Sequence, residues 1–222
     1  MRICVFSDVH GNITFLDAFL EACKDKAIDR YFFLGDSVGY LPFGKQVLAR
    51  LREIDAFCLK GNHEAILLGM LPVDEEKDRV YYLRRQMGEL DEEDFRFIRT
   101  WPITLHQEVD GINLHFVHGT IDDPLKGYGY ERGDMASFND PEIDVLFFGQ
   151  THRPWKVHNA DTQIVNVGSI GLPRDIGNSP SFALFDTLTK SVSIERIEVD
   201  PAPLFAIEGG IHPSVIQCLR RR

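Results

Sequence analysis

The chain has 222 residues, a formal charge of −10, and 44% hydrophobic and 11% aromatic side chains. That acidity argues against general binding of DNA or RNA duplexes or of anionic membranes, which select basic patches, but leaves phosphate substrates open because bound cations invert the local field. The length lies below the ~250–300 residues at which single cores stop growing, so one domain over residues 1–222 with a sizeable core is expected.

Arg2 to Ser7 is an apolar run and reads as a first strand. It is followed by Asp8-Val9-His10-Gly11-Asn12, in which Asp8 and His10 are expected on the same side of an extended backbone and Asn12 is a preferred helix N-cap. From Ile13 to Lys24 the apolar positions Phe15, Leu16, Phe19, Leu20 and Cys23 form a helical stripe. Tyr31 to Leu34 is a continuous apolar run, a strand covered on both faces, and it ends at Gly35-Asp36. Gly44 to Ile54 reads as a second helix, and Ala56 to Leu59 as a third short strand ending at Gly61-Asn62-His63-Glu64. This alternation predicts a parallel sheet with helices on its faces. Ligands of such sheets sit beyond the carboxyl ends of the strands.

Residues 65–100 break the rhythm: they are helical in pattern and rich in charge, with Asp91 as a cap and Leu90 placed to staple onto Phe95. A solvated helical layer is one reading. A helical insertion around residues 70–100 that caps the site is the other. After Ile103 the pattern turns to hairpins. Thr104–Val109 and Ile112–Val117 flank the turn pair Asp110-Gly111, and the second strand ends at His118-Gly119. A long polar loop, 120–142, carries Tyr128, Tyr130 and Arg132, and loops of that length in compact domains are often functional. Asp144 to Phe148 is a further strand, ending at Gly149-Gln150-Thr151-His152. Hairpins follow over 157–169, turning at Asn159-Ala160-Asp161, and over 181–186 with 191–199, separated by a glycine-rich loop that carries Arg174. A short helix with a basic, frayed end is expected over 211–222.

The four cysteines have neither zinc-ribbon nor redox spacing. Cys4, Cys23 and Cys58 read as core residues, in keeping with a reducing, cytoplasmic compartment. Asp8 and His10 interrupt the N-terminal apolar run, so no signal peptide is expected, and no apolar stretch approaches the ~20 residues of a spanning helix.

The residues that follow the apolar strands are Asp8 and His10, Asp36, Asn62 and His63, His118, then Gln150 and His152. Singly, each has a bland account: an aspartate after a strand is a turn residue or a cap, and a lone histidine is a satisfied polar group. Their recurrence at one sheet edge is what points to chemistry. Mixed Asp, His and Asn donors suit divalent ions in the Mn, Fe, Zn and Ni range. Leaving His63 aside, seven candidates exceed one coordination sphere, so two ions sharing a carboxylate, about 3.5–4 Å apart, fit better. Such a pair lowers the pKa of a trapped water and clamps phosphoryl oxygens, so the expected reaction is attack of a metal-bridging hydroxide on phosphorus.

Asp8-Val9-His10, Gly35-Asp36, Gly61-Asn62-His63-Glu64, His118-Gly119 and Gly149-Gln150-Thr151-His152 resemble, in order, the five signature blocks of calcineurin-like metallophosphoesterases. The resemblance runs from Asp8 to about Asp175. It implies a four-layer α/β/β/α sandwich of two mixed sheets and a dinuclear site, with manganese favoured. Asp8, His10 and His152 would hold the first metal, Asp36 would bridge, and Asn62 and His118 would hold the second. His63 would touch the phosphate and donate a proton to the leaving group. The loop Asn166–Arg174 looks like that of the small bacterial and archaeal phosphodiesterase branch, with Arg174 a candidate phosphate clamp or a partner in a structural ion pair.

The chain departs from that pattern at Gln150, where the family's usual residue is a histidine on the second metal. An amide oxygen is a harder, weaker donor, which implies a looser second site or one that prefers Mn2+ or Mg2+. It also lacks the Asp-Arg-Gly that follows Asp36 in eukaryotic-type Ser/Thr phosphatases, having Asp36-Ser37-Val38-Gly39 instead. A hydrolase acting on a small phosphodiester or phosphomonoester, such as a nucleotide, is therefore expected ahead of a protein phosphatase. A non-catalytic scaffold of the same fold ranks behind it because His63, His118 and His152 are all present, and a nuclease is opposed by the acidic charge.

Overall fold

The computed structural model describes residues 1–133, 138, 140–159, 161–207 and 211–222. Strand β1 (Arg2–Phe6) leads to helix α1 (Ile13–Cys23), and the Asn12 side chain caps that helix by accepting from Phe15 N at 3.1 Å. Next come β2 (Arg30–Phe33), α2 (Gly44–Glu53) and β3 (Phe57–Cys58). The charged stretch predicted as helical resolves into α3 (Asn62–Leu67), α4 (Glu75–Tyr81), α5 (Leu83–Met87) and α6 (Glu92–Thr100). Asp91 caps α6 as expected, accepting from Glu93 N and Asp94 N. The break between α4 and α5 falls at Tyr82, which is left-handed at φ 55° and carries no turn signal.

The second half supplies β4 (Thr104–Val109), β5 (Ile112–Val117), β6 (Val145–Phe148), β7 (Trp155–Asn159), β8 (Thr162–Asn166), β9 (Ser181–Asp186) and β10 (Ser191–Arg196). Asp110 and Gly111 both have positive φ, 53° and 72°, the backbone a tight two-residue hairpin demands. Of the turn predicted at 159–161, Ala160 lies outside the described residues, as do 134–137 and 139 of the long loop. Two short helices finish the chain, α7 (Ala202–Phe205), which the sequence pattern did not announce, and α8 (Pro213–Leu219).

The strands form two mixed five-stranded sheets, ordered β10-β9-β1-β2-β3 and β4-β5-β6-β8-β7. The continuous apolar character of β1 has a simple cause. Ile3 and Val5 point into the space between the sheets, while Cys4 and Phe6 point outward under the helices. Phe32 and Phe116 meet across the inter-sheet layer with rings 4.2 Å apart and nearly parallel. Helices α1 and α2 bury Phe15, Leu16, Phe19, Val47, Leu48 and Leu51 against the first sheet. Ile121, Phe138 and Ile143 from the 118–144 segment cover the outer face of the second. All four cysteines are free and buried. Among the described residues no helix is long and apolar enough to cross a membrane.

The register brings the site together. In the first sheet Phe6 pairs with Phe33 and Phe33 with Cys58, all parallel. In the second, Phe116 pairs with Phe147 and Phe147 with Val165, again parallel. The carboxyl ends of these strands therefore finish level, and the residues that follow them emerge at a common edge.

On the outer face of β5, His115 lies opposite His106 of β4, ring centroids 3.8 Å apart. It is 4% exposed, and neither ring nitrogen has a hydrogen-bond partner. Burial, aided by His106, pushes its pKa from 6.5 down to about 4. The folded protein keeps His115 neutral where the unfolded chain takes up a proton, so stability is lost as pH falls from 6.5 through 4, by a total on the order of 2–3 kcal/mol. His115→Phe should flatten that slope in urea-unfolding midpoints measured from pH 7 to 4.5; equal slopes in both proteins would assign the acid loss to other groups.

Candidate metal centre

The loops after β1 and β2 run side by side: Asp8 N donates to Gly35 O, His10 N to Asp36 O and Gly11 N to Ser37 O, at 2.8–3.0 Å. The extended backbone predicted for Asp8 and His10 is not what forms. Asp8 (φ 55°), His10 (50°), Asp36 (62°), Gln150 (64°) and His152 (57°) are all left-handed, five of the eleven such non-glycine residues among those described. Left-handed turns let each loop exchange hydrogen bonds with its neighbour and still return its side chains to one point. Strain of about 1–3 kcal/mol per unusual residue persists only where the surroundings over-determine it, and it concentrates at functional sites.

Four imidazoles converge on this point, and each is fixed by a backbone carbonyl. His118 Nδ1 donates to Leu34 O at 2.9 Å and His152 Nδ1 to Leu172 O at 2.7 Å. His63 and His10 Nδ1 share Val38 O, at 2.8 and 3.3 Å. In His10, His63 and His152, which burial favours in the neutral form, a proton committed to Nδ1 turns Nε2 and its lone pair inward, the tautomer metal-binding histidines adopt. His10 Nε2 lies only 3.1 Å from His152 Nε2, and Asp8 Oδ1 lies 3.1 Å from His152 Nε2 and 3.6 Å from His10 Nε2. Asp8 Oδ1 is fully buried and accepts no hydrogen bond. Three acceptor atoms facing one another in a buried pocket repel unless a cation lies between them, so the donor set fits a metal ion.

Asp36 Oδ2 extends the cluster, at 3.5 Å from His118 Nε2, 3.7 Å from His10 Nε2 and 3.8 Å from His63 Nε2. Three triads, Asp8-His10-His152, His10-Asp36-His63 and Asp8-Asp36-His118, bring ligand atoms within 4.8 Å of one another. Gln150 joins through its amide oxygen, 2.7 Å from His118 Nε2, while its N–H donates to Asp8 Oδ2. Asn62 is half-buried at the start of α3, where it lines a cavity together with Gln150. Burial alone would raise the Asp8 and Asp36 carboxyls, but the surrounding histidines hold both well below the carboxylate range. Burial lowers His10, His63 and His152. His118 moves the other way: against its burial, the facing Asp36 carboxylate pushes it up to about 10.

The sequence model of the calcineurin-like phosphoesterase superfamily domain matches residues 1–190. The chain belongs to that superfamily. It is 26% identical over 214 residues to an uncharacterised protein of Methanocaldococcus jannaschii, covering 89% of this chain and 88% of that one. A metallophosphoesterase from Sphaerobacter thermophilus superposes with a TM-score of 0.82 at 26% identity, covering 99% of this chain and 98% of the other. A hypothetical protein from Pyrococcus horikoshii shares the fold, with a TM-score of 0.82 at 20% identity over 98% and 97% of the two chains. The superfamily uses dinuclear metal sites, in keeping with the donor cluster found here.

Other residues of the calcineurin-like centre escaped the sequence reading. Glu64, buried in α3, accepts from Asp36 N, Ser37 N, Ser37 Oγ and Gly61 N at 2.7–2.8 Å. Its place three residues after Gly61 at a helix start was a readable capping signal. The His63 N–H in turn donates to Asp36 Oδ1 at 2.9 Å. Tyr40 stacks on His63, and Tyr81 of α4 lies 4.8 Å from both rings, so the 74–82 segment reaches the centre. No local pattern marks these tyrosines. Arg174 donates to Tyr40 Oη at 3.2 Å, and its N–H donates to His152 O. The neighbouring acid, Asp175, pairs with Arg196 instead, so Arg174 has no ion-pair partner among the described residues.

Glu64→Ala would strand four donors that position Asp36. It should destabilise the protein by on the order of 3 kcal/mol, read from urea unfolding; an unchanged midpoint would mean the clamp contributes nothing.

Proposed function

We propose that this chain is a metal-dependent phosphoesterase acting on a small phosphodiester or phosphomonoester. The observation that carries this reading is Asp36 Oδ2, a carboxylate oxygen set 3.7 Å from His10 Nε2 and 3.5 Å from His118 Nε2, one imidazole for each ion, as suits a shared ligand. Asp8, His10 and His152 would hold one ion, and Asn62, His118 and Gln150 the other, with Asp36 common to both. When bound, the ions, manganese foremost among Mn, Fe, Zn and Ni, supply an acidified water and positive charge for the phosphoryl oxygens.

The chain's own residues do the rest. His63 is held by Val38 O and by the Tyr40 ring. It presents Nε2 beside Asp36, where a protonated imidazole can pass its proton to the leaving oxygen. Asp36 favours that charged form, while burial opposes it. Arg174, positioned by Tyr40, offers its guanidinium fork to the phosphoryl oxygens. The 70–100 segment serves as a cap that limits water and shapes the entrance.

Asp36→Asn should cut turnover of a generic aryl phosphate by at least about a thousandfold; full activity in that variant would sink the dinuclear mechanism. Metal analysis of the purified protein, with a panel of aryl monoesters, aryl diesters, cyclic nucleotides, dinucleoside polyphosphates and phosphopeptides, sets the ester class. Gln150→His should tighten binding of the second Mn2+ by roughly tenfold, imidazole being the better donor. An identical calorimetric isotherm for the two proteins would take Gln150 out of the coordination sphere.

A further inference from the structure

A separate cavity of about 280 Å3 lies alongside Tyr40, lined also by Lys77, Tyr81, Leu172, Arg174 and Arg221. We infer that it seats a second phosphoryl group of the substrate, remote from the ester that is cleaved; this rests on the phosphoesterase reading above.

The cavity shares its walls with the metal centre. Tyr40 packs edge-on to His10, ring centroids 4.6 Å apart, and stacks on His63 at 5.4 Å. Leu172 O accepts from His152 Nδ1 at 2.7 Å, and the Arg174 N–H donates to His152 O at 3.1 Å. The residues that hold the imidazoles are thus the cavity's own walls, close enough for one small molecule to engage both. The far wall belongs to the C-terminal arm. There the Cys218 thiol donates to Pro173 O at 3.3 Å and Gly177 N to Arg221 O at 2.9 Å, fastening α8 and the residues after it to the loop that carries Arg174. The basic end of the chain, expected to fray, is held at Arg221. Residues 213–221 lie beyond the matched residues 1–190, so membership of the superfamily does not account for this wall.

Charge sets the ligand class. No lining residue is acidic, although the chain has 34 acidic and 24 basic side chains. Arg174 and Arg221 have no ion-pair partner among the described residues, since Asp175, the acid next to Arg174, is taken by Arg196. Arg174 donates to Tyr40 Oη at 3.2 Å, and Arg221 Nη1 donates to Arg174 O at 3.1 Å. Each bond uses one donor of five, which leaves most of both guanidinium forks for a ligand. Lys77 adds an ammonium but keeps an exposed contact with Asp74 at 3.9 Å, so the two arginines carry the selection. Two planar forks offer more donors than one carboxylate can accept from, and they match the oxygens of a phosphoryl dianion.

Isothermal titration calorimetry on the full, Mn2+-loaded chain tests this with probes that are not hydrolysed, free Mn2+ being buffered to one value throughout. Ethane-1,2-, propane-1,3- and pentane-1,5-bisphosphonate are each compared with the alkylphosphonate of the same length. At the length that spans the two sites, the bisphosphonate should bind about tenfold more tightly than its partner, as one further charge-assisted contact gives. Arg221→Gln should erase that advantage and Arg221→Lys should keep part of it; Arg221 is exposed, so neither change endangers the fold. Equal affinities at every length, or an advantage that survives Arg221→Gln, overturn the subsite. Inorganic phosphate that binds the parent chain but not the Arg221→Gln chain, with no bisphosphonate advantage, makes the cavity a site for a free anion and overturns it as well. Turnover of p-nitrophenyl phosphate, read separately on the same preparation, separates the two claims. Turnover without the advantage removes the second subsite and leaves the phosphoesterase. The advantage without turnover supports the second anion site and removes the phosphoesterase reading.

Discussion

Burying an ionised carboxylate without a hydrogen-bond donor is among the most unfavourable things a protein interior can do. Asp8 Oδ1 is in that position, and Asp36 Oδ2 stands next to it against three imidazole nitrogens. Much of the surrounding structure is arranged to hold these oxygens where they would not otherwise stay. Four histidines are oriented by carbonyls so that their Nε2 atoms face inward, and Glu64 binds the backbone that carries Asp36. Unlike a structural ion pair, this cluster does not neutralise itself. Around Asp8, His10 and His152 acceptor atoms face one another without a donor, a set that fits a cation.

The rigidity behind that arrangement comes from the sheets. Left-handed backbone at Asp8, His10, Asp36, Gln150 and His152 costs energy locally. It is sustained because each of these residues follows a strand buried on both faces, where slippage by one residue would turn every apolar side chain out of its layer. The ladders Phe6–Phe33–Cys58 and Phe116–Phe147–Val165 fix where the loops begin. Cross-loop hydrogen bonds from Asp8, His10 and Gly11 then fix where they go.

Much of this could be read in the sequence, because strand ends carry local signals. Continuous apolar runs mark strands covered twice, Asn12 and Asp91 mark helix starts, Asp110-Gly111 marks a hairpin, and ligand-type residues recur after the strands. What could not be read depends on partners distant in the chain. Tyr40, Tyr81 and His63 form one ring cluster only after α4 folds back, and nothing near Tyr81 reports this. The left-handed Tyr82 that splits α4 from α5 is neither glycine nor asparagine, so propensity runs through it. The backbone at Asp8 and His10 is left-handed, not extended: period-two spacing suits a strand, whereas here a pair of facing loops produces the same convergence.

The centre also draws on both sheets. Asp8, His10 and Asp36 extend from the first, His118, Gln150 and His152 from the second, and His10 and His152 are 142 positions apart in sequence. Ions shared by such distant ligands close very long loops, a restraint on the unfolded chain of the kind a disulfide provides, and the entropy at stake grows only slowly with loop length. The chain has no disulfide among its four free cysteines. Ions held there would then double as fasteners between its two halves, so their loss would loosen the sandwich along the edge where these ligands meet.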